Sequence, residues 1–408
     1  MNDQANMNMD AGPKAGKPEK KLPASICPDP GWPFGERTEE CDPFDSMPLR
    51  ERNRAGLPLR ASQVDFLGKA LWVSFAVVAL SGIALLAGYR PTVDSSFSST
   101  EYIQESFFGG WWIRGIHKYG TDLFVLLAGL RLLRLAYRRA YRKPGELGWI
   151  VAIATLLFGM ISGLTGYLLV WNQKAFWTGR VLADMSGPGS VQPLGGLGLG
   201  GWLSDVFAGA DGMSQSTLSA IFAVHIALSI LFLLFAMRWR LAARMQAPRH
   251  RSFTPELSSR LILSILAALT LIALIFPPPL GSPLDKGFSP HPIAADWYML
   301  AIYQIVQSMS PGASIAIFVL GLAILILLPW LDRSGTSGPR PMITALIIAA
   351  LLSWFVLTVA AASQIWTAGW TLGLAAMLWL FAIAAGLWDE SRPPSERERR
   401  PGSEVKRS

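Results

Sequence analysis

Apolar residues in this chain run together instead of recurring every second or third position. Eight stretches, approximately 66–89, 112–136, 149–171, 217–239, 259–277, 312–331, 341–362 and 366–387, are predominantly apolar, and several of them carry hardly a charge. Most are near twenty residues, the length a helix needs to cross a hydrocarbon core of ~30 Å. Hydrocarbon gives backbone amides no outside partner, so each stretch is predicted to be an α-helix. Basic residues alternate between the connections. Arg50, Arg52, Arg54 and Arg60 precede the first stretch, and Arg131, Arg134, Arg138, Arg139, Arg142 and Lys143 sit around the second-to-third link. Arg238, Arg240, Arg244, Arg249, Arg251 and Arg260 surround the fourth-to-fifth link, and Arg392, Arg397, Arg399 and Arg400 follow the eighth. The intervening links hold few. This alternation predicts an all-α membrane protein with eight transmembrane helices and both termini cytoplasmic, in a bacterial inner membrane.

Composition agrees: 51% apolar residues against 16% charged exclude a disordered chain and argue against a water-soluble globule. A formal charge of +8 would suggest nucleic acid in a soluble protein. Here the excess sits beside apolar spans, so it reads as topology and as contact with membrane lipid, with no nucleic-acid partner. Residues 1–61 are rich in Pro, Lys, Glu and Asp and read as a flexible cytoplasmic extension. Cys27 and Cys41 lie within it and lack the spacing of a metal site or a disulfide framework. Residues 62–245 form one predicted four-helix unit, 246–388 a second helical half, and 389–408 a cytoplasmic tail. The third-to-fourth and fifth-to-sixth links, about 45 and about 34 residues long, are the long outer loops. The glycine-rich run 195–201 in the first lacks the strand and helix of a nucleotide loop and reads as a turn before Trp202.

An ionisable side chain inside a span is expensive and therefore a functional candidate. His117 lies about five residues in from the outer end of the second span, and His225 about eight in from the outer start of the fourth. At ~1.5 Å per residue their depths match. Gly82 and Gly166 share that level on the first and third spans. Two facing imidazoles, with glycines where a flat macrocycle presses on backbone, suit one bis-histidine haem. Either histidine alone could equally be a hydrogen-bonded packing residue. With both axial positions filled, such an iron carries electrons and binds no oxygen. Arg114, one turn before His117, could pair with a propionate or merely anchor the helix at the interface. Asp122 has no partner legible in sequence.

Several stretches then converge: Phe66-Leu67-Gly68, Ser81-Gly82-Ile83, Arg114-Gly115-Ile116-His117, the run Gly166 to Gln173, Phe176-Trp177, and Phe222-Ala223-Val224-His225. Asp296-Trp297-Tyr298, Tyr303, and Leu328-Pro329-Trp330-Leu331-Asp332-Arg333-Ser334 continue the series. From about residue 62 to 388 the chain resembles the cytochrome b subunit of the cytochrome bc1 and b6f complexes. The resemblance implies an electron-transfer subunit that oxidises quinol at an outer pocket, here lined by Tyr167, Phe176, Asp296, Trp297, Tyr298 and Tyr303. It also implies an iron–sulfur or c-type cytochrome redox partner and a homodimer. The family's Pro-Glu-Trp-Tyr motif reads Ala295-Asp296-Trp297-Tyr298 here. Aspartate keeps a carboxylate able to take a quinol proton, but one methylene shorter. His291 nearby reads as an exposed loop residue.

The larger departure lies on the cytoplasmic side. Family members carry second histidines fourteen residues past the first, ~21 Å further along the helix and within ~40° of the same face. Those positions are Arg131 and Trp239 here, and the matching glycine positions are Gly68 and Ala152. A guanidinium stays protonated and cannot ligate iron. One b-type haem is therefore expected, with no electron path to an inner quinone site and no complete quinone cycle. Two further readings stand beside this one: a quinone-free haem-bearing anchor of a dehydrogenase or reductase, and a haem-free structural or transport subunit.

Overall fold

The computed structural model of the protein describes residues 66–143, 145–186, 213–246, 259–289, 296–332, 341–363 and 368–391. The expectations for Cys27, Cys41, the 195–201 turn, Trp202 and His291 fall outside these residues. The described residues form eleven helices and no strands. They are α1 (Phe66–Leu85), α2 (Ser96–Glu105), α3 (Gly110–Tyr137), α4 (Glu146–Leu169), α5 (Gln173–Ser186), α6 (Gln215–Gln246), α7 (Ser259–Ile275), α8 (Leu300–Ser308), α9 (Pro311–Leu331), α10 (Pro341–Ser363) and α11 (Ala368–Ser391).

Each of the eight apolar stretches falls on a helix: α1, α3, α4, α6, α7, α9, α10 and α11. Five of these contain segments long and apolar enough to cross a membrane: Phe66–Leu85, Glu146–Leu169, Gln215–Met237, Pro311–Leu331 and Met342–Ser363. α7 is apolar but only 17 residues long, and the uncharged run of α11 spans Gly373–Ala384. α3 is long enough but carries Arg114, Lys118, Asp122, Arg131 and Arg134. The polar cargo of α3 is what the site below uses. α2, α5 and α8 are additional short helices in the links, where no apolar run announced them.

α1, α3, α4 and α6 form the haem-bundle candidate: α1 packs on α3, α3 on α4, and α4 on α6. Its centre is aromatic. Phe75, Phe124, Phe158 and Phe232, one from each helix, meet with Phe158 and Phe232 stacked at 4.2 Å and 7° and Phe75 edge-on to Phe232 at 4.9 Å. Leu71, Leu127 and Ala128 complete this buried layer. α7 leans on α3 and α1, while α8, α10 and α11 pack together.

A polar latch ties the two halves. After α3, Arg139 adopts the left-handed conformation (φ 54°), which closes the helix through the Ala140 amide donating to the Leu135 carbonyl at 2.9 Å. That conformation costs roughly 1–2 kcal/mol in a residue with a Cβ. Arg139 then donates through Nε and Nη2 to Asp332 Oδ2 at 2.9 and 2.6 Å, with both side chains buried, and Tyr141 OH donates to the same oxygen at 2.7 Å. Burial, then the carboxylate beside it, pushes the Tyr141 phenol well above its usual range, so it remains a donor. Trp149 on α4 adds a bond to the Leu325 carbonyl of α9 at 2.8 Å.

Candidate functional site

The two histidines come from different helices yet occupy equivalent surroundings. His117 on α3 sets its Nδ1 3.0 Å from the Val78 carbonyl of α1 and 3.2 Å from Ser81 Oγ. His225 on α6 sets its Nδ1 3.0 Å from the Ser162 carbonyl of α4 and 3.0 Å from Thr165 Oγ1. In each case the carbonyl stands four residues before a glycine and the hydroxyl one before it. A carbonyl only accepts, so Nδ1–H donates in both rings and each Nε2 presents a lone pair. Such anchoring is the usual way a metal-binding imidazole is oriented.

The two ring centroids lie 6.3 Å apart, with the planes at 69° in an edge arrangement. A metal–imidazole bond of about 2 Å, with the ring centre about 1 Å behind its nitrogen, requires two trans imidazole centroids about 6 Å apart. The observed spacing therefore fits a metal held between two Nε2 atoms. The glycines have a specific part in it. A Cβ at Gly82 would lie 3.0 Å from His117 Cε1, and one at Gly166 would lie 3.0 Å from His225 Cε1. Both are closer than ordinary Cβ contacts, so each glycine makes room for its neighbour's imidazole; the sequence had linked them only to the macrocycle.

Arg114, expected to pair with a propionate or to anchor its helix, makes three bonds within the chain. Its Nη1 donates to Gln104 Oε1 and to the Pro278 carbonyl, both at 2.7 Å, and its Nη2 donates to the Pro279 carbonyl at 3.1 Å. The guanidinium thus clamps the Pro277–Pro279 turn against α2 and α3. Proline runs expose carbonyls with no amide to pair them, which is why this turn attracts a multidentate donor.

The second constellation gathers around residues 296–298. Asp296 Oδ1 lies 3.2 Å from Lys118 Nζ, and Tyr298 OH donates to Asp296 Oδ2 at 3.3 Å. Lys118 also holds Asp122 at 2.8 and 2.9 Å, and Trp297 Nε1 donates to Asp122 Oδ1 at 3.2 Å. Asp122 therefore does have partners. The Lys118 pairing follows ordinary i,i+4 helical spacing, whereas Trp297 comes from a loop 175 residues later and left no trace in the one-dimensional pattern. Tyr298 is buried beneath α4, where even a Cβ at Gly163 would collide with its hydroxyl. Tyr167 lies within electrostatic reach of Asp296, Tyr298 and Tyr303. Burial, and then the Asp296 charge, pushes the Tyr298 phenol far up, while burial raises Tyr303 to about 12. Both stay protonated. Tyr303 accepts from Gln307 Nε2 at 2.6 Å.

Phe176 lies buried between Trp171 and Trp177, at 5.8 Å from each ring, with Lys286 Nζ 6.0 Å from its centroid. The start of α5 binds the link that follows α7. Asn172 Nδ2 donates to the Leu280 carbonyl at 2.6 Å, and Gln173 exchanges side-chain bonds with the Asp285 backbone at 2.9 and 2.6 Å. Asn172 and Gln173 thus organise the loop, a role for which their type and loop position were the available signal.

Comparison with known proteins decides the family. The model for Cytochrome b/b6/petB matches residues 57–246, and that for Cytochrome b(C-terminal)/b6/petD matches residues 283–381. The chain belongs to the cytochrome b family. Cytochrome b of Allochromatium vinosum is 25% identical over 350 residues, covering 75% of this chain and 83% of the relative. The cytochrome bc complex cytochrome b subunit of Chlorobaculum thiosulfatiphilum is 28% identical over 305 residues, covering 68% and 69%. Among solved structures, a chain of a hyperthermophilic respiratory Complex III aligns with a TM-score of 0.63 at 25% identity, over 79% of this chain and 90% of that one. Membership in this membrane family implies b-type haem binding.

Proposed function

We propose that the protein is the electron-transfer subunit of a quinol-linked bc-type complex, carrying one b-type haem between His117 and His225. The observation that carries this reading is the pair of rings with centroids 6.3 Å apart, each pinned through Nδ1 so that Nε2 is left for iron. The haem supplies a one-electron carrier with no open coordination position. Gly82 and Gly166 leave space for the ligand rings. Arg114, with N–H groups beyond the three bonds described, is the residue for a propionate.

Quinol occupies the outer pocket lined by Tyr167, Phe176, Trp297, Tyr298 and Tyr303. Its oxidation releases two protons and two electrons. One hydroxyl proton passes to the Asp296 carboxylate, which Tyr298 orients through its hydrogen bond, and the other is released to water at the outer face. The electrons leave through an iron–sulfur or c-type cytochrome subunit, and the complete quinone cycle is absent because Arg131 and Trp239 stand where a second haem would be ligated. Eight crossings, both termini on the cytoplasmic side of a bacterial inner membrane, lipid contact along the basic rims and a homodimeric assembly complete the reading.

Haem content per polypeptide by pyridine haemochrome, combined with a redox titration, tests it. One haem with a single midpoint is expected. Two b centres of different potential would overturn the proposal.

A further inference from the structure

Lys118 is the unexplained residue of this site. It follows a candidate haem ligand directly, yet its ammonium points to carboxylates on two separate segments: Asp122, one turn along α3, and Asp296, in the link before α8. The helical pair alone would be worth only ~0.2–0.5 kcal/mol. A second carboxylate brought to the same ammonium leaves the group with one excess negative charge, a poor arrangement for stability alone. Three successive loop side chains meet this group: Asp296 takes Lys118, Trp297 takes Asp122, and Tyr298 takes Asp296. An isolated aspartate on a loop would sample several rotamers. This one is held at both oxygens, by Lys118 at Oδ1 and Tyr298 at Oδ2.

We propose that Lys118 and Asp122 are positioning residues for Asp296, holding the short carboxylate at the quinol pocket in the orientation and charge state that receives the substrate's proton. This rests on the reading of that pocket as a quinol site. Lys118 fixes the carboxylate by direct contact, and Asp122, braced by the Trp297 indole, fixes Lys118. Two carboxylates on one ammonium also set a proton capacity of one: taking up a single proton leaves the group neutral. The charged and titratable groups facing Asp296 among the described residues are Lys118 and Asp122 from α3, Tyr167 from α4, and Tyr298 from its own loop. The last two are neutral phenols, so the balance is between one cation and one anion.

That balance makes the test two-sided. The intact complex is assayed in native membranes for haem reduction by short-chain ubiquinol and menaquinol analogues across pH. The reaction needs the ionised carboxylate, so its rate rises through an acid limb. Lys118→Met, which removes the cation, moves that limb to higher pH and lowers the maximal rate about tenfold at neutral pH, with little change in KM. Lys118→Arg recovers most of the rate. Asp122→Asn, which removes the competing anion, moves the limb to lower pH. General damage to the site would not displace the two profiles in opposite directions. Unchanged profiles in both variants, or displacement the same way, would overturn the proposal. If Lys118→Met fails to retain the b-type spectrum, Asp122→Asn decides: a downward displacement supports the inference and an unmoved limb refutes it. Failure of the wild-type complex to respond to either quinol overturns the quinol reading itself, a result distinct from a responsive wild type with indifferent variants.

Discussion

The same four helices are built differently at two levels. At the His117 level, α1 and α4 each offer a hydroxyl, a glycine and a carbonyl to an imidazole on the neighbouring helix. Fourteen residues away the corresponding positions are Gly68, Arg131, Ala152 and Trp239. There Ala152 is buried in a core with Leu132, Trp149 and Ile343, the last from α10 of the second half. Between the two levels lies the layer of four phenylalanines, seven residues from each histidine on α3 and α6. The difference teaches that imidazole, glycine and anchoring hydroxyl come together at one level, whereas at the other the interior around Ala152 is closed by ordinary packing that draws on both halves of the protein.

The sharpest way to break this comparison is His225→Ala or His117→Ala, each expected to abolish the b-type absorption entirely. Next, Asp332→Ala removes the buried carboxylate that Arg139 and Tyr141 share at the other end of the bundle. Breaking one side of a buried ion pair costs about 3–5 kcal/mol, read as a lower melting temperature of the detergent-solubilised protein with its haem spectrum retained until unfolding. Gly166→Ala places a methyl 3.0 Å from His225 Cε1 and should lower haem occupancy in part, measured as haem per polypeptide. Thr165→Ala or Ser81→Ala removes one of two acceptors at a ligand's Nδ1. The carbonyl remains, so the ring keeps its tautomer and becomes slightly less electron-donating. The midpoint potential should rise by less than about 60 mV, the one-electron equivalent of a tenfold change. Smallest of all, Arg131→His should add no second haem, because Trp239 still occupies the opposing ligand position; a new spectral component would contradict the account of that level.

The spans were legible in the sequence because burial in hydrocarbon demands long uncharged runs, and α1, α4, α6, α9 and α10 display them. The histidine–glycine level was legible because helical rise converts residue count into depth. Arg114 was legible as a partner for something. Its actual bonds to Gln104, Pro278 and Pro279 were not, since a donor's type does not name its acceptor. The short helices α2, α5 and α8 escaped notice because they lie outside the long apolar runs by which the spans were found.

By itself, then, the order of residues determined which segments become apolar helices and which depth carries the two imidazoles, because both follow from local composition and a fixed rise per residue. Only the tertiary structure decided that Ser81 and Thr165 would serve the histidines, that Asp332 would meet Arg139, and that Asp296 would reach Lys118. These contacts join residues far apart in the chain, and which of many compatible donors and acceptors come within 3.5 Å depends on how whole helices pack.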